Sequence, residues 1–252
     1  MSPAPGPALA AARPWLVPVR DVDPAAPLLL CFPHAGGTAA YFHRWSVELA
    51  PDVAALPVHY PGRFDRRPEA APDDLMTLAT AVADVVAPLA ASRRTVLFGH
   101  SMGAVVAHEV SRVLQARGAP SAALVVSGRR SPRSACTERL PADDEAVLAD
   151  VRRLGGRGTA LLDDPDVRAA FLPVIRGDYR LLDRHRFRPG PPLDIPVTAV
   201  VGDADPRATA ADAHGWGALT TGPFRLFTRP GGHFYLDSDT PFLFEMVRRL
   251  LD

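Results

Sequence analysis

Along the chain, short unbroken apolar runs alternate with longer stretches whose apolar residues recur at helical spacing. The runs Leu28–Phe32, 53–58, 95–98, 122–127, 197–201 and 224–227 predict strands. Most are apolar at successive positions, as strands buried on both faces are. Between them the spacing predicts helices over about 39–49, 75–89, 104–116, 208–218 and 241–251, with Gly118 as the stop of the third. This alternation marks an α/β chain: a mostly parallel sheet with helices on both faces.

The alternation breaks once, over 131–192. There the sequence predicts no strand, only amphipathic pieces at 143–154 and 167–182. Gly155-Gly156-Arg157-Gly158 separates them, and Pro189-Gly190-Pro191-Pro192 closes the segment. An insertion of about 60 residues between two strands of one sheet is either a subdomain or a lid over a site. The first 27 residues carry seven prolines. Residues 1–13 therefore read as a flexible N-terminal arm, ahead of a single domain over 14–252.

Composition narrows the functional classes. With 252 residues, 47% hydrophobic and 22% charged, the chain is not a disordered one. Its 28 basic residues are all arginine and balance 28 acidic ones, which argues against a nucleic-acid binder needing a basic face. Arginine without lysine, in an alanine- and proline-rich chain, reflects a GC-rich genome and says nothing of function. Cys31 lies inside an apolar run and Cys136 in an unlike context, so no disulfide framework is expected. No charge precedes Arg13 to form a signal peptide, and no run of about 18 apolar residues is seen. A soluble, cytoplasmic protein is expected.

The sharpest motif is Gly99-His100-Ser101-Met102-Gly103, directly after one predicted strand and opening the next helix. A nucleophile elbow needs this arrangement. A strained strand-to-helix turn lifts the serine hydroxyl clear of the sheet, and small residues two positions either side allow close backbone approach. The helix N-terminus favours a developing anion there. An incidental serine in a tight turn is the plain alternative.

A serine nucleophile needs a base from elsewhere. His233, in Pro230-Gly231-Gly232-His233-Phe234, follows the last strand, where the Ser…Asp…His order of α/β-hydrolases puts it. His34 is the serious rival. His100 is expected to point into packing, and His43, His59, His108, His185 and His214 read as surface or core residues. Gly202-Asp203-Ala204-Asp205-Pro206 offers two carboxylates to orient the base. Asp203 also fits as a turn residue, and Asp205 lies further from the strand, just before a proline that could start the next helix. The preference for Asp205 rests as much on the family pattern given below as on this placement. For the oxyanion, the N–H of Met102 is one donor. Pro33-His34-Ala35-Gly36-Gly37 offers a second, with Ala35 the best placed.

With these segments in place, the chain resembles the type II (editing) thioesterases of polyketide and non-ribosomal peptide synthesis. The resemblance rests on Cys31-Phe32-Pro33-His34-Ala35-Gly36-Gly37, Tyr60-Pro61-Gly62-Arg63, Gly99-His100-Ser101-Met102-Gly103-Ala104, Ser127-Gly128-Arg129-Arg130-Ser131-Pro132, Gly202-Asp203-Ala204-Asp205-Pro206 and Gly231-Gly232-His233-Phe234-Tyr235-Leu236. It runs from about residue 28 to the C-terminus. It implies an α/β-hydrolase fold, Ser101 as nucleophile, Asp205 as orienter, His233 as base and 131–192 as a helical lid shaping an acyl chamber. Arg176-Gly177-Asp178-Tyr179 departs from the family pattern, which has alanine at Gly177.

The implied activity is hydrolysis of acyl groups from the phosphopantetheine arm of an acyl or peptidyl carrier protein, by a monomer needing no cofactor or metal. Such an enzyme clears stalled or mis-primed units from a synthase. Two other readings stand beside it: an esterase, or an acyl-transferring or cyclising hydrolase, and a non-catalytic module that binds carrier proteins. Loss of the base on protonation predicts activity that falls towards acid pH. Arg129, Arg130, Arg133, Arg176, Arg180, Arg184, Arg186 and Arg188 offer a basic rim for an acidic carrier, unless Asp178, Asp183 and Asp194 neutralise them.

Overall fold

The computed structural model describes residues 7–18, 23, 25–134, 141 and 143–252. Its strands are β1 (Leu28–Phe32), β2 (Ala54–Pro57), β3 (Thr95–His100), β4 (Ala123–Ser127), β5 (Val197–Gly202) and β6 (Phe224–Arg229). They form one sheet in the order β2-β1-β3-β4-β5-β6, with every neighbouring pair parallel. Eight α-helices are described: α1 (Pro7–Ala11), α2 (His43–Glu48), α3 (Leu75–Ser92), α4 (Met102–Ala116), α5 (Asp144–Leu154), α6 (Pro165–Arg184), α7 (Ala210–His214) and α8 (Thr240–Leu251).

The two-residue period of the strands divides the core. Leu28, Leu30 and Phe32 of β1 pack on one face with α1, α3, α4 and α7, while Leu29 and Cys31 pack on the other with α2 and α8. Each such leucine or valine stabilises the fold by about 1.5–3 kcal/mol. The first five strands are buried at every position, whereas β6, at one edge, is half-buried with Arg225 and Thr228 exposed. A third apolar cluster lies apart from the sheet, built by Val147, Leu148, Leu162, Leu172, Ile175 and Tyr179 from α5, α6 and the 3-10 turn Thr159–Asp163 between them.

Several expectations are corrected in detail. The arm expected at 1–13 is not loose over its second half: α1 forms there, and Leu9 and Ala12 are buried in the core cluster that contains α3. Residues 1–6, and Cys136 within the inserted segment, lie outside the described residues. The second inserted helix starts at Pro165, where proline fits because the first helical N–H has no intrahelical partner to lose; Asp164 caps it. The helix expected at 39–49 divides into the 3-10 turn Ala39–Phe42 and α2. That at 208–218 divides into α7, started by a Thr209–Asp212 capping box, and the 3-10 turn Gly215–Leu219. Among the described residues one helix, α3, is long and apolar enough by length and composition to cross a membrane, contrary to the reading of the sequence. Leu75, Leu78, Val82, Val86 and Leu89 bury its apolar side in the core it shares with α4.

Gly118 closes α4 with φ +72° while Ala119 N–H returns to Leu114 O at 3.0 Å, a Schellman closure. The chain leaves β1 for β2 on one side and returns as β3 on the other. The crevice opened by that reversal, beyond the carboxyl ends of β1 and β3, is where ligands bind in open α/β sheets.

Candidate active site

Ser101 stands in this crevice at the junction of β3 and α4. Its φ of 54° and ψ of −114° place a non-glycine residue in strained backbone, at a cost of about 1–3 kcal/mol. Its neighbours explain why the turn closes. A Cβ on Gly99 would come within 2.2 Å of Gly103 O, and one on Gly103 within 2.0 Å of Phe32 O. The small residues of the motif are thus required by the packing of α4 onto β1 and β3. Ser101 N–H donates to Ser127 O at 2.8 Å, and the hydroxyl makes no helix-capping bond.

His233 and Asp205 meet as expected. His233 Nδ1 lies 2.9 Å from Asp205 Oδ2, and both side chains are buried. The second carboxylate oxygen of Asp205 accepts from Arg207 N–H at 2.8 Å. Asp203 does different work: its Oδ1 accepts from Gly231 N–H at 2.9 Å and pins the histidine loop to the end of β5. That loop approaches closely because Gly202 has no side chain; a Cβ there would lie 2.3 Å from Gly232 O.

Two further histidines lie nearby: His100 against His233, and His34 against His100. The His100 ring is 4.9 Å from that of His233, wholly buried, with Nδ1 3.0 Å from Ser127 Oγ, which in turn is 2.7 Å from Tyr235 Oη. His100 is therefore packed, as expected. The His34 ring is 6.0 Å from that of His100 and lies against Tyr41 and Phe234. Among the described residues it has no carboxylate partner, whereas His233 has Asp205. Burial first, then the neighbouring His233 and Arg63, pushes His34 down to about 3, and burial lowers His100 well below the ordinary histidine range.

The loop after β1 is a four-residue turn. Gly37 N–H donates to His34 O at 2.9 Å, with Gly36 at φ +73° in the position that favours glycine. Gly36 N–H donates to Asp178 Oδ2 at 2.7 Å, and Gly37 O accepts from Arg63 Nη1 at 2.7 Å. Arg63 Nη2 donates to both oxygens of Asp178, at 2.7 and 2.9 Å, and both side chains are buried. Desolvation raises the Asp178 carboxyl, opposed by Arg63 and the Gly36 amide. Sequence reasoning singled out Tyr60-Pro61-Gly62-Arg63 and Arg176-Gly177-Asp178-Tyr179 as segments but found no role for the pair.

Comparisons with known proteins give the family and the fold. The family model of the thioesterase domain matches residues 27–251. This chain belongs to the thioesterase family. It is 42% identical over 226 residues to thioesterase PikA5 of Streptomyces venezuelae, covering 88% of this chain and 80% of that one. To the probable cadicidin biosynthesis thioesterase of Streptomyces griseus it is 40% identical over 223 residues, 88% of this chain but 62% of the relative's length. The solved type II thioesterase BorB from the borrelidin biosynthetic cluster superposes with a TM-score of 0.86 at 39% identity, over 94% of this chain and 98% of that one. The α/β-hydrolase fold and the resemblance to type II thioesterases are both borne out.

In this thioesterase Ser101 and His233 line one cavity of about 250 Å³. Its polar wall includes His34, Tyr41, Arg157 and Arg207; its apolar wall is supplied by the inserted helices through Val151, Leu162, Val167, Phe171 and Ile175. The insertion is also tied to the loop bearing Asp205. Asp150 of α5 accepts from Tyr179 Oη of α6 at 2.7 Å and from the buried Arg207 guanidinium. Gly156 packs on Phe234, where a Cβ would lie 2.7 Å from the ring.

Some of the residues named for a basic rim have partners within the fold. Asp178 pairs with Arg63, Arg176 with Asp144 at 2.5 Å, and Arg130 donates to Arg207 O. Arg180 and Arg184 line a second groove, between α6 and the loop after β2, with Arg67, Pro72 and Pro173.

Proposed function

We propose that this thioesterase hydrolyses short acyl thioesters held on the phosphopantetheine arm of a carrier protein, in the cytoplasm. By doing so it clears stalled or mis-primed units from a polyketide or non-ribosomal peptide synthase. One observation carries the reading: a buried Asp205–His233 pair opens onto the same cavity as a serine held in a strained elbow. With Nδ1 committed to Asp205, His233 has Nε2 for the serine proton.

The chemistry follows from these groups. Ser101 Oγ attacks the thioester carbonyl carbon as its proton passes to His233 Nε2. The N–H groups of Met102 and Ala35 take the charge on the carbonyl oxygen. The C–S bond then breaks, the carrier thiol leaves with the proton from His233, and the acyl group stays on Ser101. A water molecule gives a proton to His233 and attacks the ester carbonyl carbon; the C–O bond to Ser101 breaks, His233 returns the proton to Ser101 Oγ, and the acid departs. The helical insertion acts as a lid and, with a chamber below the roughly 300–1,000 Å³ usual for drug-sized ligands, favours short apolar acyl groups.

The test is a panel of carrier proteins loaded with acyl groups of increasing length, beside matched oxygen esters. The reading expects release of short acyl groups from carriers at higher kcat/KM than from oxygen esters. Faster ester hydrolysis would make the chain an esterase, transfer to an added alcohol or amine would make it an acyltransferase, and binding without release would make it a carrier-binding module.

A further inference from the structure

The turn after β1 is held from outside by residues distant in sequence. Asp178 and Ile175 lie three positions apart in α6 and so share one helical face. Asp178 takes the Gly36 amide, and Ile175 fills the space above Gly36, where a Cβ would lie 2.3 Å from Ile175 Cγ1. Arg63, arriving from the loop after β2, takes Gly37 O and completes the ion pair with Asp178. The peptide joining Ala35 to Gly36 is thereby fixed at its N–H, and the next residue at its carbonyl. With the turn closed by Gly37 N–H to His34 O, the direction of the Ala35 amide is set.

We propose that Arg63 and Asp178 are positioning residues that hold the Ala35 amide where the oxyanion develops, so the site is complete only when α6 is seated. Neither touches the reacting atoms. The buried pair links the inserted helix to the oxyanion turn through directional bonds, and a helix displaced from the body would take the acceptor for Gly36 N–H with it. The idea rests on Ser101 and Ala35 having the roles given above. It adds that the inserted helix contributes to the catalytic step as well as to the walls of the chamber.

The test separates oxyanion positioning from simple structure. Asp178→Asn keeps an acceptor for Gly36 N–H; Asp178→Ala removes it; the exchange Arg63→Asp with Asp178→Arg keeps opposite charges but faces the amide with a group that has no acceptor. Each protein is assayed on a short acyl thioester for kcat and KM. Its affinity is measured for an alkyl boronic acid, whose tetrahedral serine adduct carries an anionic oxygen, and for a thioether analogue that lacks a carbonyl.

Asp178→Ala and the exchanged pair should lose about 10–100-fold in kcat with KM within about twofold. Boronate affinity should fall by the same factor, thioether affinity should hold, and Asp178→Asn should lose less. A rise in KM at unchanged kcat, or equal loss of boronate and thioether affinity, would overturn the proposal. If the exchanged protein or the alanine variant does not fold, the asparagine variant is read by the same split: boronate affinity that falls without kcat, or the reverse, counts against it. Ser101→Ala is run alongside; full activity there would instead overturn the reading of the serine.

Discussion

The sheet and the helical insertion between β4 and β5 are held in place by different physics. The sheet is a stack of residues buried on both faces, positioned by a two-residue alternation that many side chains share. The insertion has a small apolar cluster of its own, and two buried arginine–aspartate pairs tie it to the body: Arg63 with Asp178, and Arg207 with Asp150. Apolar contact is tolerant of small shifts, whereas hydrogen-bonded charges away from water are satisfied in one geometry or left unpaired. The sheet supplies rigidity, and the insertion supplies a wall whose seat is specified bond by bond over the reacting groups.

The largest effect should come from the body of the molecule. Asp205→Asn should lower kcat by about 10²–10⁴-fold, since the imidazole loses the carboxylate that holds its orientation, with the melting temperature little changed. A loss below tenfold would detach Asp205 from the reaction. The next contrast is one of stability. Leu97→Ala, in the middle of β3, should cost about 2–5 kcal/mol in denaturant unfolding. Leu148→Ala, in the inserted cluster, should cost less globally and speed hydrogen exchange locally in α5 and α6. Equal global losses would make the two regions one cooperative unit.

How much of this was legible in the sequence follows the same division. Strand runs such as Leu28–Phe32 are visible because burial on both faces demands apolar residues in succession. Ser101, Asp205 and His233 are visible because each sits in a short turn whose glycines serve local geometry. Arg63 and Asp178 are 115 positions apart and of types usually exposed, so only the fold reveals that they are buried together. The same holds for Arg207 and Asp150, and for α1, whose apolar contacts lie with a helix far along the chain. The Asp164-Pro165 step is a local signal the apolar spacing passes over: it starts the second inserted helix two residues before the predicted 167.

A third prediction concerns acid. His34 is held down to about 3 in the folded protein, so the unfolded chain binds its proton first as pH falls below the ordinary value of 6.5. Stability present above 6.5 is therefore lost progressively between 6.5 and about 3, by about 2 kcal/mol at pH 5 from this group. His100 acts in the same direction. His34→Phe should flatten the acid side of an unfolding-against-pH curve, and an unchanged slope would contradict it. The smallest effect should be on selectivity: Phe171→Ala, widening the apolar wall, should shift the kcat/KM ratio of longer to shorter acyl thioesters by about tenfold. A chain-length profile identical to that of the unaltered enzyme would remove Phe171 from the chamber wall.

The most direct measurement compares the unaltered protein with Ser101→Ala on one acyl-loaded carrier protein, following free acid by mass spectrometry and the fold by circular dichroism. The account predicts release by the first and, from an equally folded variant, less than about a thousandth of that rate. Comparable release by both would show that the thioester is cleaved without Ser101.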